Sequence, residues 1–400
     1  PPPTVPGGRQ QPPPSASAPP TARGSDPHIG RHIGRYRIDA VIASGGMGTV
    51  YRAEQTHPVR RVVALKMILS GVANSRVVER FHQERQTLAR MDHPDIARVL
   101  EADTTHEGDP YFVMEYCRGL PIDEFCNHHR LTIDERLGLL SRVCRAVHHA
   151  HQQGFVHRDL KPGNILVGGS RSEPQIKIID FGIAKAMEDD SCLATDHTRA
   201  GEILGTPAFM SPEQGRGEAI DARTDVFALG ALMFQLLTDS PPLRLDELKP
   251  SGLTEVLNAI TDFEPQRPRQ RIRRLDADER ECVAARRSMT SRQLSTLSAD
   301  LDWIALRALA PDRMDRYATA SDFADDLQRY LDHHPVTAVA PALSYRVRKF
   351  VRRHRIAVIS ASAVLATVLI ASAFVGYDHL QGMRREEARV QRLHDEIREI

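Results

Sequence analysis

Short β-rich runs, separated by polar turns, lie between residues 36 and 115. The stretches 36–43, 49–53, 61–69 and 111–115 are rich in apolar and β-branched residues. One stretch of helical periodicity, 76–91, interrupts these runs. The pattern predicts a small β-rich unit that contains one helix.

Beyond residue 120 the spacing of apolar residues becomes helical. Thr132 can cap a helix, Glu135 can complete a capping box with it, and Gly154 suits the end of the helix. The apolar positions between these residues recur at helical spacing: Ile133, Leu137, Leu140, Cys144 and Val147. We therefore expect an α+β chain in which a β-rich unit precedes a larger, mainly helical one.

The N-terminal residues 1–30 are rich in Pro, Ser, Ala, Gly and Thr. Such a composition cannot bury enough apolar surface to fold, so we expect a disordered segment. We favour a plain linker there over a ligand for SH3-like domains. Because no apolar run lies near the N-terminus, we expect no cleavable signal peptide.

An uncharged apolar segment, 356–376, follows a cluster of basic residues. At ~1.5 Å per residue it is long enough to cross a hydrocarbon core of ~30 Å. The basic cluster consists of Arg346, Arg348, Lys349, Arg352, Arg353 and Arg355. The positive-inside rule places this cluster in the cytoplasm. We predict a basic juxtamembrane linker at 335–355 and a transmembrane helix at 356–376, with a buried core helix as the alternative.

Apolar positions across 377–400 fall near a heptad register. We prefer a single amphipathic stalk helix outside the cytoplasm to a coiled coil. The pattern runs to the last residue, so we expect a further, sensing domain beyond it. Pairing of two stalks would make the protein a homodimer.

The charge balance argues against a general attraction to nucleic acid, since 53 basic and 52 acidic residues leave a net charge of +1. A hydrophobic content of 41% and a charged content of 26% are typical of a globular protein. The cysteines are dispersed and form no C-x-x-C pair, so we expect reduced thiols that serve packing, in a cytosolic compartment.

A glycine-rich stretch between two predicted strands is suited to binding phosphate groups. It comprises Ile42, Ala43, Ser44, Gly45, Gly46, Met47, Gly48, Thr49 and Val50. Glycine lets backbone N–H groups approach phosphate oxygens with no side chain in the way. A plain hairpin turn is the alternative for this stretch taken alone.

Lys66 follows in a mostly apolar strand, where alternation puts it on one face with Ala64. A lysine in such a strand needs an anionic partner. Glu84 lies on the apolar stripe of the helix predicted at 76–91, so we expect an ion pair between Lys66 and Glu84. The alternative is that Glu84 is an ordinary surface charge.

Two further motifs complete an ordered set. Residues 157–164 read His-Arg-Asp-Leu-Lys-Pro-Gly-Asn, and residues 180–182 read Asp-Phe-Gly. With the glycine-rich stretch, Lys66 and Glu84, they match the protein-kinase signature in order and spacing. The stretch 36–330 therefore resembles the bacterial serine/threonine kinases of the eukaryotic type.

The resemblance implies a bilobal fold, with a kinase domain at 36–334 made of an N-lobe at 36–116 and a C-lobe at 117–334. It also implies ATP and Mg²⁺, with Mn²⁺ as an alternative ion. The implied catalytic residues are Asp159, Lys161, Lys66 and Glu84, and the implied metal ligands are Asn164 and Asp180. The implied nucleotide-binding residues are the glycine-rich stretch, Ala64, Lys66, Glu115 and Cys117.

The resemblance also assigns the residues after the activation loop. Residues 205–213 resemble the shelf that binds a substrate peptide, with Ser211 where alanine is commoner. By the family pattern Glu213 pairs with Arg316, and Asp225 braces the catalytic loop. Ala43 replaces the first glycine of G-x-G-x-x-G, so we expect a slightly altered nucleotide affinity.

Arg158, directly before Asp159, is typical of kinases whose activation loop is ordered by its own phosphorylation, because an arginine can pair with the added phosphate. Thr195 and Thr198 are the best acceptors, with Ser191 behind them. Thr206 is a further regulatory candidate.

The retained residues favour an active, receptor-like kinase in the cell membrane, with its kinase domain in the cytoplasm and Ser/Thr residues of proteins as substrates. A pseudokinase scaffold is the first alternative, although a scaffold needs no metal ligands and base together. Small-molecule phosphotransfer is disfavoured by the peptide shelf. We interpret the arginine-rich stretch 262–300 as a solvated insertion, in preference to a docking surface or a contact with anionic lipid.

Overall fold

A computed structural model of the protein describes residues 26–45, 48–68, 91–181, 207–245 and 252–338, together with Thr367, Ser372 and Tyr377. These residues separate into two compact units, of which the first reaches Arg118 and the second begins at Gly119.

The first unit contains a six-stranded antiparallel sheet with the strand order β1-β2-β3-β4-β6-β5. The strands are β1 (His32–Ile33), β2 (Tyr36–Gly45), β3 (Gly48–Gln55), β4 (Arg61–Ile68), β5 (Val99–Thr104) and β6 (Pro110–Glu115). The predicted strands are confirmed, with small shifts at their ends. Strand β5 was not predicted, because Glu101 and Asp103 interrupt its apolar pattern.

The apolar face of this sheet forms the core of the first unit. Val63, Leu65 and Met67 of β4 join one buried cluster, as their alternation predicts. The charged side chain that interrupts β5 is also accommodated, since Glu101 accepts hydrogen bonds from the hydroxyl of Tyr36 and the guanidinium of Arg35. A buried tyrosine hydroxyl needs such an acceptor.

The sheet begins earlier than the sequence indicates. The amide of Gly30 donates to the carbonyl of Ile38 on β2 at 2.9 Å, and the hydroxyl of Tyr51 donates to Asp26 at 3.2 Å. The prediction of disorder over 1–30 is therefore wrong for 26–30, while residues 1–25 lie outside the described residues.

The second unit combines a three-stranded sheet, in the order β7-β8-β9, with a set of helices. Its strands are β7 (Leu120–Pro121), β8 (Ile165–Gly169) and β9 (Pro174–Ile178). Its helices are α1 (Ile122–His128), α2 (Ile133–Gln152), α3 (Pro212–Gly215), α4 (Ala222–Thr238), α5 (Leu253–Thr261), α6 (Pro268–Arg274), α7 (Ala277–Ala285), α8 (Ser291–Ser295), α9 (Ala299–Ala308) and α10 (Ala320–Leu331).

Helix α4 is the core of the second unit, because it is buried on nearly all sides and packs against α2, α9 and α10. Helix α2 begins with the predicted capping box, in which Thr132 and Glu135 bond each other's backbone. Its end is also as predicted, since Gly154 adopts a left-handed φ of 84° two residues beyond Gln152.

The arginine-rich stretch 262–300 is folded into helices, so the prediction of a solvated insertion is wrong for its buried arginines, while other arginines of the stretch are exposed, as predicted. It forms helices α6 to α8 and the start of α9. Arg287 is fully buried, pairs with Asp239 at 2.7 Å and donates to the carbonyl of Leu236 at 2.9 Å. Arg271 is also buried and donates to the carbonyl of Pro242 at 3.1 Å. These cations bind carbonyls and the carboxylate beside the last turn of α4, where positive charge is favoured.

The cysteines of the second unit differ in burial. Cys126 and Cys144 are fully buried, as predicted for packing thiols, and burial raises the pKa of Cys126 to about 12. Cys282 on α7 is exposed, so the packing prediction is wrong for it. Cys192 lies outside the described residues.

The segment that follows α10 is packed against the second unit. The buried carboxylate of Asp326 accepts hydrogen bonds from the amides of Thr337 at 2.6 Å and Ala338 at 3.0 Å, and from the hydroxyl of Tyr317 at 2.8 Å. Val336, directly before these two residues, is buried. The first residues of the predicted linker, 335–338, therefore belong to the folded unit.

The rest of the linker and the stalk prediction lie outside the described residues, except for Tyr377. The predicted transmembrane helix, 356–376, does so too, apart from Thr367 and Ser372, which have helical backbone conformation. Within the described ranges, we find no helix that combines the length and the apolar character needed to span a membrane.

Candidate active site

Strands β2 and β3 form the hairpin predicted to bind phosphate. Gly45 pairs with Gly48 across it, and Gly46 and Met47 at its tip lie outside the described residues. Gly48 has a φ of 145°, and a Cβ at this position would lie 2.0 Å from the carbonyl oxygen of Met67. Because an L side chain disfavours this φ and the neighbouring backbone leaves no space, only glycine fits.

Lys66 lies on β4, where it is paired across the sheet with Val50 of β3 and Phe112 of β6. Its side chain is partly buried, whereas Ala64, two residues earlier on the same face, is 7% exposed. Glu84 lies outside the described residues, with the helix predicted at 76–91. The ion pair between Lys66 and Glu84 therefore stays a prediction.

The predicted adenine-binding segment follows the end of β6. The amide of Glu115 donates to the carbonyl of Arg98 at 2.9 Å, so this N–H is used by the first unit itself. The thiol of Cys117, a weak donor, lies 3.5 Å from the carbonyl oxygen of Glu115. The predicted adenine-binding residues Glu115 and Cys117 are therefore in contact with each other.

In the second unit, the catalytic loop brings three predicted residues together. The Nζ of Lys161 lies 3.0 Å from Oδ2 of Asp159. The side-chain amide of Asn164 donates to the same oxygen at 3.2 Å and to the carbonyl of Asp159 at 2.7 Å. One carboxylate thus stands between a cation and an amide, in a defined orientation. The amide oxygen of Asn164 takes no part in these bonds.

Asp225 braces this loop, as the resemblance implies. Its buried carboxylate accepts hydrogen bonds from two successive amides, that of His157 at 2.7 Å and that of Arg158 at 2.9 Å. The Nε2 of His151 lies 2.7 Å from the Oδ2 that binds His157. A buried carboxylate with several donors is a stable anchor, because its charge is compensated.

His157 is buried beneath the loop and fixes its inner side. Burial lowers the pKa of His157, so the ring is neutral. Its Nε2 donates to the carbonyl of Ile179 at 3.1 Å, which leaves Nδ1 to accept the amide of Asp159 at 3.4 Å. The ring also packs against Phe181, with 4.6 Å between ring centroids. The histidine therefore ties the Asp159 loop to the strand end that carries Asp180.

Strand pairing brings together the two backbone segments that carry the predicted metal ligands, Asn164 and Asp180. Ile165 pairs with Ile178 between β8 and β9, and the amide of Ile179 donates to the carbonyl of Asn164 at 2.9 Å. Asp180 follows with a φ of 60°, in the left-handed region. Non-glycine residues persist there only when their surroundings impose it, which is common at functional sites.

The segment after the activation loop is anchored by the predicted ion pair. Arg316 donates to both carboxylate oxygens of Glu213, at 2.7 and 2.8 Å, and the hydroxyl of Thr224 donates to Glu213 at 2.7 Å. Burial alone would raise the pKa of Glu213, but the guanidinium and the hydroxyl outweigh it and lower this pKa to about 2. The pair is therefore fully charged at neutral pH.

Sequence reasoning missed two residues that contact this loop, His151 and Gln214. The side-chain amide of Gln214 donates to the carbonyl of Arg158 at 2.8 Å. His151 lies on the last turn of α2, eight residues before Asp159, and could have been found from its place on the buried side of that helix. Gln214 directly follows the predicted Pro-Glu pair, which was the available signal.

The regulatory predictions are described only in part. Arg158 has a φ of 65°, and its backbone N–H and C=O are both bonded. The other predicted regulatory residues lie outside the described residues. They are Thr195, Thr198 and Thr206.

Comparison with known proteins supports the interpretation of these motifs. Residues 36–326 match the protein kinase domain family. The serine/threonine-protein kinase pkn3 of Myxococcus xanthus is 34% identical over 308 residues, which cover 76% of this chain and 51% of that protein. The serine/threonine-protein kinase PknB of Mycobacterium tuberculosis is 31% identical over 309 residues, which cover 76% of this chain and 44% of that protein. The chain spans about half the length of these curated relatives.

A solved structure shows the same fold. The crystal structure of the Mycobacterium tuberculosis PknI kinase domain aligns with a TM-score of 0.51 at 23% identity, over 77% of this chain and 99% of that domain. Its fold is that of the β-rich N-lobe and helical C-lobe expected from the sequence. From the match over 36–326 and from the bacterial serine/threonine kinases among its relatives, this chain belongs to the protein kinase domain family.

Proposed function

We propose that this protein is a serine/threonine kinase that transfers the γ-phosphoryl group of ATP to Ser and Thr hydroxyls of proteins. The observation that carries the proposal is the held geometry of Asp159. Asp225 binds the two backbone amides that precede Asp159. Lys161 and Asn164 flank the carboxylate of Asp159 at 3.0 and 3.2 Å. A protein that only binds nucleotide has no need of this arrangement.

The residues fit ATP and a divalent ion. Asp180 and the amide oxygen of Asn164 are hard oxygen donors, which Mg²⁺ prefers, and Mn²⁺ accepts the same set. When bound, the ion neutralises charge that develops on the phosphate groups. Lys66 holds the α- and β-phosphates, and the backbone of Glu115 and Cys117 binds adenine. The Gly48 hairpin keeps its backbone free of side chains for the phosphates.

Asp159 acts on the substrate hydroxyl. Its carboxylate orients the hydroxyl and accepts its proton as the new O–P bond forms and the bond from the γ-phosphorus to the leaving oxygen of ADP breaks. Lys161, 3.0 Å from this carboxylate, pairs with it and steadies the transferred group. Because phosphoryl transfer depends mainly on positioning and electrostatics, the anchored loop supplies much of what the reaction needs.

The substrate is a protein segment. The 3₁₀ helix Pro207–Phe209 and helix α3 form the end of the peptide shelf, which the buried pair of Glu213 and Arg316 holds to the C-lobe. We include Thr195 and Thr198 among the substrates, since Arg158 suits a phosphate on the same chain. Replacing both by Ala should lower autophosphorylation and turnover, and unchanged values for both would exclude this regulation.

We further propose that the kinase works at the cytoplasmic face of the cell membrane and signals across it, through a single helix at 356–376. The support is the uncharged segment and the basic residues before it. A variant that ends at residue 338 should leave the membrane fraction, whereas the full chain should stay in it after a carbonate wash. Equal extraction of both would argue against this anchor.

Transfer of label from ATP tests the catalytic proposal. The full chain is incubated with γ-labelled ATP, Mg²⁺ and a generic basic protein, beside an Asp159→Asn variant. We expect labelled phosphoserine and phosphothreonine, and a loss of about 10²- to 10⁴-fold in the variant, the usual contribution of a positioned acid or base.

Each outcome distinguishes a function class. Absence of label on protein, with ATP still bound, would indicate a scaffold. Equal label in both proteins would contradict the role of Asp159. Thermal unfolding of the two proteins controls for folding, because Asn replaces Asp with nearly the same volume.

A further inference from the structure

We propose that Gln214 is a positioning residue through which the peptide shelf holds the catalytic loop, with Ser211 as the residue that orients Gln214. This inference rests on the proposed kinase function and adds two residues to it. Ser211 and Gln214 flank the Pro-Glu pair at the end of the shelf, and Gln214 reaches a backbone atom next to Asp159.

Gln214 contacts the catalytic loop directly. The Nε2 of Gln214 donates to the carbonyl oxygen of Arg158 at 2.8 Å. This carbonyl belongs to the peptide unit that leads into Asp159. Because a peptide unit is planar, fixing its oxygen also fixes the direction of the Asp159 amide. That amide is the one that reaches Nδ1 of His157 at 3.4 Å.

This contact helps to maintain an unusual backbone conformation at Arg158. Arg158 has a φ of 65°, in the left-handed region that a residue with a Cβ disfavours. Asp225 binds the N–H of Arg158 at 2.9 Å, and Gln214 binds its C=O. Both polar backbone atoms of this residue are therefore held, each by a side chain from a different segment.

Ser211 fixes the orientation of the Gln214 side chain. Its Oε1 accepts the amide of Ser211 at 3.1 Å and the hydroxyl of Ser211 at 3.2 Å. An amide whose oxygen is bound by two donors must present its nitrogen on the other side. Ser211 is fully buried and Gln214 is 7% exposed, so water does not replace these bonds readily. Alanine, the commoner residue at position 211, would lack the hydroxyl.

The capping function alone does not explain this arrangement. Helix α8 has the same capping pair, in which Gln293 accepts the amide of Thr290 at 2.9 Å and its hydroxyl at 3.1 Å. Helix α3, however, is only four residues long, and its glutamine is buried against the catalytic loop. Gln293 therefore serves as a matched control: the same residue type in the same local geometry, away from Asp159.

Gln214→Glu is the informative substitution. It keeps the shape and the acceptor for Ser211, but at neutral pH it places a carboxylate oxygen against the Arg158 carbonyl. Protonation restores a donor at that position, and burial raises the pH at which this occurs. We expect kcat to fall about 10- to 100-fold at neutral pH, as for a small displacement of a reacting group. KM for ATP should stay within about 2-fold, because Gln214 and Arg158 belong to the second unit and are not among the predicted nucleotide-binding residues.

The test compares the full-length wild type with Gln214→Glu, Ser211→Ala and Gln293→Glu, using a peptide substrate between pH 5.5 and 8. We expect the ratio of kcat in Gln214→Glu to kcat in wild type to rise as pH falls, and Gln293→Glu to match wild type. Ser211→Ala should lose less, about 2- to 5-fold, since its amide still binds Oε1. Thermal unfolding of each variant shows whether it is folded at the assay temperature.

Several results would overturn the inference. These are an unchanged kcat in folded Gln214→Glu and Ser211→Ala, an equal loss in Gln293→Glu, or a ratio that does not vary with pH. If Gln214→Glu does not fold, Ser211→Ala decides the question by the same kcat criterion. A wild type that labels no protein would contradict the proposed function instead, so the two failures are distinguishable.

Discussion

The ion pair between Glu213 and Arg316 should contribute to stability in a way that depends on pH. Both side chains are buried, at 2% exposure each. The pKa of Glu213 lies at about 2, against an ordinary value of 4.5. At ~1.36 kcal/mol per pH unit, this depression corresponds to about 3 kcal/mol of stability. Because the folded-state pKa is the lower one, the contribution is present above pH 4.5 and is lost as pH falls towards 2.

Glu213→Gln removes the titrating group and keeps the shape of the side chain. We expect it to be less stable than wild type at pH 6 by about 2–3 kcal/mol, and the gap to close as pH is lowered to 2.5. Arg316→Met should cost more at pH 6, about 3–5 kcal/mol, because it leaves a buried carboxylate without its cation. Adding Glu213→Gln to Arg316→Met should recover part of that loss.

Urea unfolding followed by tryptophan fluorescence measures these differences. The chain has one tryptophan, Trp303 on α9, in the same lobe as the ion pair, so its emission reports unfolding of the C-lobe. The difference between wild type and Glu213→Gln isolates this pair from the other carboxylates. A gap that stays constant from pH 6 to 2.5, or an Arg316→Met variant within about 0.5 kcal/mol of wild type, would refute the reasoning.

Three further substitutions test other parts of the structure. Asp225→Asn should reduce kcat by about 10- to 100-fold with little change in KM for ATP, since one amide of the loop loses its acceptor; steady-state kinetics measure this, and a change confined to KM would contradict it. Gly48→Ala should weaken ATP binding at least several-fold, because its Cβ would lie 2.0 Å from a backbone oxygen. Calorimetric titration with nucleotide measures this affinity, and a wild-type value would contradict the requirement for glycine at this position. Arg287→Met should lower the free energy of urea unfolding by about 3 kcal/mol or more, as it leaves Asp239 buried with less compensation, whereas a loss below about 1 kcal/mol would exclude this role.

The elements with a regular apolar pattern were predictable from the sequence. The alternation of Val63, Leu65 and Met67 gave the correct face of β4, and Thr132 and Glu135 gave the start of α2, because both signals are local. Strand β5 was missed since Glu101 and Asp103 resemble loop residues, and Glu101 is stabilised by Arg35 and Tyr36, which are distant in sequence. Such a partner cannot be seen in a local window.

The arginine-rich stretch was misinterpreted for a related reason. A run of cations normally indicates solvent, but Arg271 and Arg287 are buried because carbonyls and Asp239 from other segments surround them. The pairing of Glu213 with Arg316 was predicted only through the family resemblance, since the two lie 103 positions apart. Gln214 was missed because its partner is a backbone carbonyl, which leaves no pattern of residue types.

The attachment of residues 337 and 338 to Asp326 has a mechanical consequence. Tension applied to the chain beyond residue 338 would first load the hydrogen bonds from the amides of Thr337 and Ala338 to this buried carboxylate. Asp326 is also bonded to Tyr317, the neighbour in sequence of Arg316. A pull from the C-terminal side would therefore act first on this clamp, and through Asp326 and Tyr317 it would pass to the segment that carries Arg316.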